Sequence, residues 1–322
     1  MRGNLLERYA YNTAAKRRHD GIFCIFWLFL RYLALPFNRN FTSAWYASAR
    51  GSLQRTAIIR KFQKERESTM LHKKVRAYLM LTFAITWLSW GLLALLVHCH
   101  LIPPDHLLYR LLHVLGGFGP TLAALFLLPQ KMPRAILHYI FYGKKRRLGI
   151  LFLLCLLQTF TLALSSRQWN PAIPWFIAPL IALMTIFVGG GNEELGWRGL
   201  LQPELEKSMS FFWATLLTGN LWMLWHLPLW WIPGASQQMM PFLFFYIFGL
   251  YLSFLLAVLY KTTKSVFYCM ILHGFTNFLM SCFLFQGNIL FVIGVLASIS
   301  TCVWLLRREE KKPTRKRRKT GF

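Results

Sequence analysis

Acidic residues are scarce in this chain. It holds 11 Asp and Glu against 37 Lys and Arg in 322 residues, a net charge of +26. Between residues 77 and 306 the acids are Asp105, Glu193, Glu194, Glu204 and Glu206. Cysteine usage is also thin. Cys24, Cys99, Cys155, Cys269, Cys282 and Cys302 lie scattered, mostly inside apolar runs, without a C-x-x-C pair. That excludes a disulfide framework and leaves the cysteines as small buried hydrophobes. No alternation of apolar and polar residues suggests a β-barrel. No internal repeat is evident, which counts against a transporter built from repeated halves.

Long apolar runs are what the chain has instead. Hydrophobic residues make up 56% of it, with several uninterrupted stretches near the roughly 20 residues that cross a bilayer core. The expected fold class is therefore all-α, a polytopic membrane bundle of about eight helices. The spans are expected at 78–101, 111–128, 148–166, 180–204, 211–231, 241–260, 265–285 and 289–306. Pro103-Pro104, Pro129, Pro171 with Pro174, Pro233 and Gly287-Asn288 punctuate the links.

The positive charge is uneven. Residues 1–76 carry 16 Lys and Arg against 4 acids, and residues 307–322 carry 9 against 2. Beside membrane spans, such ends read as anchors for anionic lipid rather than as nucleic-acid sites. The loop 129–147 holds six basic residues, whereas 102–110 and 167–179 hold one each. The positive-inside rule then places both termini in the cytoplasm. Residues 1–69 form a basic extension, readable as an interrupted signal-like segment or a surface helix. A third reading starts translation at Met70, where "MLHKKVRAYLMLTF" makes a natural entry to a first span. Residues 70–306 form the membrane domain, and 307–322 a basic cytoplasmic tail.

Among the five acids, Asp105 falls in a loop. Glu204 and Glu206 fall at a helix end, where solvation is easy. Glu193 and Glu194, in "GGGNEELGWRG", fall inside a span, where charge is costly and usually functional. On a helix, Glu194 and Arg198 share a face and can pair. Glu193 is rotated about 100° away, without a cation in its own segment, and suits the role of general base. Two histidines also lie inside spans: His226, four residues after Trp222, and His273, four residues before Asn277. At about 1.5 Å of rise per residue, Glu193, His226, His273 and Asn277 lie roughly 16, 22, 12 and 18 Å from their cytoplasmic helix ends. They share one layer. Trp230 and Trp231, beside a span end, read as interface anchors.

At these residues the chain resembles the CPBP family, which includes the type II CAAX prenyl endopeptidases and the bacteriocin-immunity membrane proteins. Glu193 to Arg198 matches E-E-x-x-x-R, and His273 to Asn277 matches H-x-x-x-N. Trp222 to His226 fits F-x-x-x-H, with Trp in place of Phe. The apolar "GGFGPTLAALFL" at 116–127 also looks like family sequence. The resemblance implies that Glu193 with His226 activates a water, and that His273 with Asn277 stabilises the oxyanion. Glu194, Arg198 and Trp222 would support them. It implies an intramembrane endopeptidase acting on a membrane-associated peptide or protein, prenylated ones of the CAAX type included, with no cofactor. Zinc held by Glu193, His226 and His273 is the alternative, although H-E-x-x-H is lacking. Other readings are a non-catalytic immunity or scaffold protein of the same fold, and a proton- or ion-coupled transporter.

Overall fold

A computed structural model describes residues 52–142, 147–166, 168–284 and 287–311, with side chains from residue 73 onward. Residues 1–51 and most of the basic tail lie outside the described residues. Residues 68–322 form one compact unit. Among the described residues its regular structure is helical, and the single β feature is a bridge between Trp169 and Phe283. In a bilayer that is the expected economy, because each helix satisfies its own main-chain groups.

The elements run α1 (Ser52–His98), α2 (Leu107–Gly117), α3 (Gly119–Leu127), α4 (Pro133–Phe141), α5 (Leu148–Gln158), α6 (Ala178–Phe187), α7 (Phe211–Trp225), α8 (Phe242–Thr263), α9 (Val266–Cys282) and α10 (Ile289–Glu310). Among the described residues, Lys73–His98, Trp175–Leu205, Phe242–Thr263 and Ile289–Glu310 are long and apolar enough to cross a membrane. The α2–α3 pair, bent by 47°, makes a fifth candidate. Each expected span thus has a helix within it, but α5, α7 and α9 are short, and length and composition alone do not establish a count of eight.

Local chemistry sets the helix boundaries. Proline opens α3 and α6 at their first turns and stands at the start of α4, positions where its missing N–H costs nothing. Ser265 caps α9 by accepting from Tyr268 N, and Asn288 caps α10 by accepting from Phe291 N at 3.1 Å. Lys264, at φ 58°, closes α8 in the left-handed region.

One end of the unit is a charged collar. Lys74 pairs with Glu204 at 2.6 Å, and Lys207 pairs with the other oxygen of Glu204. Lys261 faces Glu206 at 3.8 Å, and Arg147 reaches Glu309 at 3.0 Å and the Thr262 carbonyl. Glu204 therefore departs from the sequence expectation: it is buried between two lysines rather than freely solvated. The loops at the other end are laced by main-chain and amide bonds, such as Asn170 N to Cys282 O at 2.8 Å. Trp230 lies at that end and donates to Met240 O at 3.0 Å while packing on Phe242 and Phe245. It pins the 232–240 loop, whereas Trp231 is exposed as an interface anchor would be.

The closest helix pair that matters for the site is α6 against α9. A Cβ on Gly274 would lie 2.5 Å from the Ile186 Cα, so only glycine lets the two backbones come this near. That contact brings His273 and Asn277 alongside the end of α6.

Candidate active site

The segment carrying the two glutamates is not the continuous helix that its apolar pattern suggests. Three consecutive glycines follow α6. Val188 N and Gly189 N both reach the Met184 carbonyl at 2.8 Å, and the helix stops. Gly190 then takes φ 121°, a conformation that side chains disfavour. Beyond it the chain resumes as a 3-10 turn (Gly191–Glu193), an α-turn (Glu194–Gly196) and a π-turn (Trp197–Leu201). Pro203 cannot donate to the carbonyl four residues back, and the Gly199 carbonyl accepts from Tyr139 Oη at 2.5 Å instead. The expectation of uniform helical rise fails here, yet the residues still gather.

Every residue from Gly190 to Gln202 is buried, so this charged segment runs through the middle of the bundle. Asn192 holds its entry: its Oδ1 accepts from Gly190 N at 3.2 Å, and its Nδ2 donates to the Gly117 carbonyl at 3.0 Å. Thr121 donates to the Asn192 carbonyl at 2.5 Å. The "GGFGPTLAALFL" segment thus buttresses the glutamates directly. On the other side, Asn277 Nδ2 donates to the Gly189 carbonyl at 2.8 Å. A Cβ on Gly190 would sit 2.4 Å from Asn277 Nδ2 and 2.8 Å from His273 Nε2. The space left by the missing side chain is therefore faced by two nitrogens.

The adjacent carboxylates have different partners. Glu194 Oε1 accepts from Arg198 Nη1 at 3.0 Å and from His273 Nδ1 at 2.8 Å, with Glu194 and Arg198 both fully enclosed. Arg198 Nη2 donates to Ser253 Oγ at 3.0 Å, and its guanidinium lies 4.7 Å from the Trp222 ring centre. A carboxylate oxygen accepts, so His273 carries a proton on Nδ1 and turns Nε2 toward Gly190. Glu193 is also buried, but its oxygen Oε2 meets a neutral donor, the Trp222 indole Nε1 at 2.7 Å. Among the described residues Glu193 has no ion-pair partner within 4.0 Å.

His226 lies at the end of α7 rather than in mid-helix, because Pro228 follows two residues later. Its main-chain N–H bonds the Met223 carbonyl at 3.2 Å, which frees the Trp222 carbonyl for the ring's Nδ1 at 2.8 Å. Trp225, Phe245 and Trp222 surround the imidazole at centroid distances of 4.6, 5.1 and 5.7 Å. Trp222 also meets His273 edge to face at 5.0 Å. Three separate helical segments thus converge on one tryptophan. The residues the sequence missed are Gly190, Asn192 and Ser253. The glycine triplet was visible, but nothing in it announced which glycine would turn.

Zinc is tested by the same geometry. Each histidine gives Nδ1 to a protein acceptor and keeps Nε2, as zinc-binding histidines do. The carboxylate does not join them: among the described residues no three His, Cys, Asp or Glu side chains converge as ligands of one ion. The donor set as arranged does not fit the metal.

Comparison with known proteins agrees with the family resemblance. Residues 174–279 match the family described as type II CAAX prenyl endopeptidase Rce1-like. That range contains Glu193 to Arg198, Trp222 to His226 and His273 to Asn277, so the resemblance read from the sequence is borne out there. Over 75 residues the chain is 31% identical to CAAX prenyl protease 2 of Methanococcus maripaludis, which covers 23% of this chain and 28% of that protein. The aligned part is thus less than a third of that relative's length. The long apolar helices and the family match together make this a multi-pass membrane protein.

Proposed function

We propose that the chain is an intramembrane endopeptidase that hydrolyses a peptide bond in a membrane-associated protein, including prenylated substrates of the CAAX type. The observation that carries this reading is the division of labour between adjacent carboxylates. Glu194 is committed to Arg198 and His273. Glu193 is buried beside it with one neutral donor and no counter-ion among the described residues, which leaves it available to take a proton.

In the proposed reaction Glu193 accepts a proton from water, with His226 Nε2 as a second acceptor. The resulting hydroxide attacks the scissile carbonyl carbon. Negative charge then develops on the carbonyl oxygen, which in this reading docks beside Gly190 against the Asn277 Nδ2 and His273 Nε2 nitrogens that lie close to it. The amide of Asn277 has two N–H groups, so it keeps one for the oxyanion while the other holds Gly189. Donation from His273 Nε2 requires a ring protonated on both nitrogens, with the Glu194 carboxylate opposite its charge. The proton held by Glu193 passes to the leaving amine, and the bond breaks. No Ser or Cys nucleophile is required.

The charged collar carries Lys74, Arg147, Lys207 and Lys261, and by the positive-inside rule it faces the cytoplasm. In this orientation both termini are cytoplasmic, and the basic ends lie against anionic lipid. The decisive test compares wild type with Glu193→Gln in liposomes, using a quenched, farnesylated peptide with a CAAX-type ending. A fall to a small residual rate, with an intact fold, is expected. Cleavage at the wild-type rate would refute the base assignment.

A further inference from the structure

Trp222 occupies the position where the resembled motif has phenylalanine, and it does something phenylalanine cannot. Its indole N–H donates to Glu193 Oε2 at 2.7 Å, while its carbonyl accepts from His226 Nδ1 at 2.8 Å. One residue therefore contacts both members of the pair that would activate water, through its side chain and through its main chain. The ring itself is held in place by the Arg198 guanidinium at 4.7 Å and the His273 edge at 5.0 Å. It is buried, so water does not compete for the indole N–H.

A carboxylate has two oxygens and a soft terminal torsion, so one without an ionic partner has no fixed orientation of its own. A donor on Oε2 settles that torsion and leaves Oε1 for the water. The carbonyl of the same residue fixes the tautomer of His226, with the proton on Nδ1 and Nε2 free to accept. A phenylalanine would retain the carbonyl and a smaller aromatic ring but lose the N–H, and an isosteric bicyclic ring without an N–H would lose the donor alone.

We propose that Trp222 is a positioning residue whose indole N–H orients the Glu193 carboxylate toward the attacking water. This rests on Glu193 acting as the base, and its test is arranged so that the two ideas can fail separately. The full chain is purified as wild type, Trp222→Phe, Glu193→Gln and the double variant. A fifth form carries β-(3-benzothienyl)alanine at position 222, which keeps the shape of tryptophan without an N–H. All are assayed in liposomes on the quenched, farnesylated peptide.

Both position-222 replacements should lower kcat roughly 10- to 100-fold, the weight of a hydrogen bond to a charged group, with KM within about twofold. In the Glu193→Gln background, Trp222→Phe should remove nothing further from the residual rate, because the group it orients is already gone. A structural role alone would lower both backgrounds equally, and that result would overturn the proposal. So would a wild-type kcat in the benzothienyl form, which decides the matter even if the phenylalanine variant folds poorly. An inactive Glu193→Gln beside a fully active Trp222→Phe refutes the positioning role alone. An active Glu193→Gln refutes the base, and the positioning role falls with it.

Discussion

His273 Nδ1 lies 2.8 Å from Glu194 Oε1, on the same oxygen that takes Arg198 Nη1 at 3.0 Å. Two cation-forming groups thus converge on one enclosed carboxylate, while the glutamate beside it accepts from the neutral Trp222 indole and has no ion-pair partner among the described residues. Charge in the membrane interior persists where it is paired, and this cluster shows how the pairing is shared. Arg198 offsets the charge of Glu194, and the same oxygen of Glu194 accepts the Nδ1 proton of His273 and so orients its ring.

Glu194→Gln should therefore be a stability variant and Glu193→Gln a rate variant. Removing the Glu194 charge leaves Arg198 buried without its partner, which costs about 3–5 kcal/mol. Removing the Glu193 charge breaks no ion pair and should change stability by less than about 1 kcal/mol. Thermal unfolding of the two purified variants in one detergent checks this. Equal losses would show that the carboxylates share the ion pair.

Arg198→Lys should not behave as a conservative change. The guanidinium meets Glu194 with one nitrogen, Ser253 with another and the Trp222 ring with its plane. An ammonium keeps one of these at most. Stability should fall by about 1–3 kcal/mol, against about 1 kcal/mol for Ser253→Ala, which removes a single neutral partner. Parallel unfolding curves for the two variants measure the difference.

Gly190→Ala should abolish cleavage. Its Cβ would lie 2.4 Å from Asn277 Nδ2, and φ 121° is strained for any side chain. Gly191→Ala is the wrong control, since it too would collide, 2.2 Å from the Ile186 carbonyl. Gly149→Ala, in open space on α5, is the right one and should cleave normally. A fully active Gly190→Ala would remove the oxyanion from the space assigned to it.

Orientation has a direct measurement. Cys99 is exposed at the end of α1 opposite the charged collar, and Lys311 is exposed just beyond α10. An impermeant maleimide applied from outside the cell should label Cys99. A cysteine placed at position 311, in a background without Cys99, should react only after the membrane is opened. The reverse pattern would invert the topology.

The parts of this site legible in the sequence are those that depend on periodicity and residue type. Apolar runs located the helices, and rare charges within them located Glu193, Glu194 and Arg198. The spacing of Trp222 with His226, and of His273 with Asn277, located the partners. What was hidden depended on how main-chain bonds are redistributed. The triplet Gly189, Gly190 and Gly191 gives no hint that only the second turns to positive φ, because this follows from Asn277 holding the carbonyl before it. The offset of His226 to the end of α7 follows from Pro228, and it turns a mid-helix pair into a ring bonded to a carbonyl. Glu204 read as solvated because Lys74, its partner, is 130 residues away in the chain. Trp222 read as a supporting residue without a stated contact, because only the fold brings Glu193 to its N–H.

The last prediction separates the metal-free mechanism from zinc, and it turns on what each nitrogen is left to do. His226 and His273 both donate from Nδ1 and present Nε2, an atom that could meet a metal or a proton. The groups around them do not suit both. Glu193 Oε2 is taken by an indole donor, and Asn277, a poor zinc ligand, faces the same space as His273 Nε2. If the pair binds an oxyanion, Asn277→Ala should lower kcat on the order of 10²–10³-fold with little change in KM. A chelator such as phenanthroline should then leave the purified protein's turnover unchanged. If zinc is bound, the chelator stops the reaction, added zinc restores it, and Asn277→Ala costs little. Elemental analysis adds a readout independent of activity: one tightly held zinc per chain, lost in His273→Ala, would overturn the metal-free mechanism.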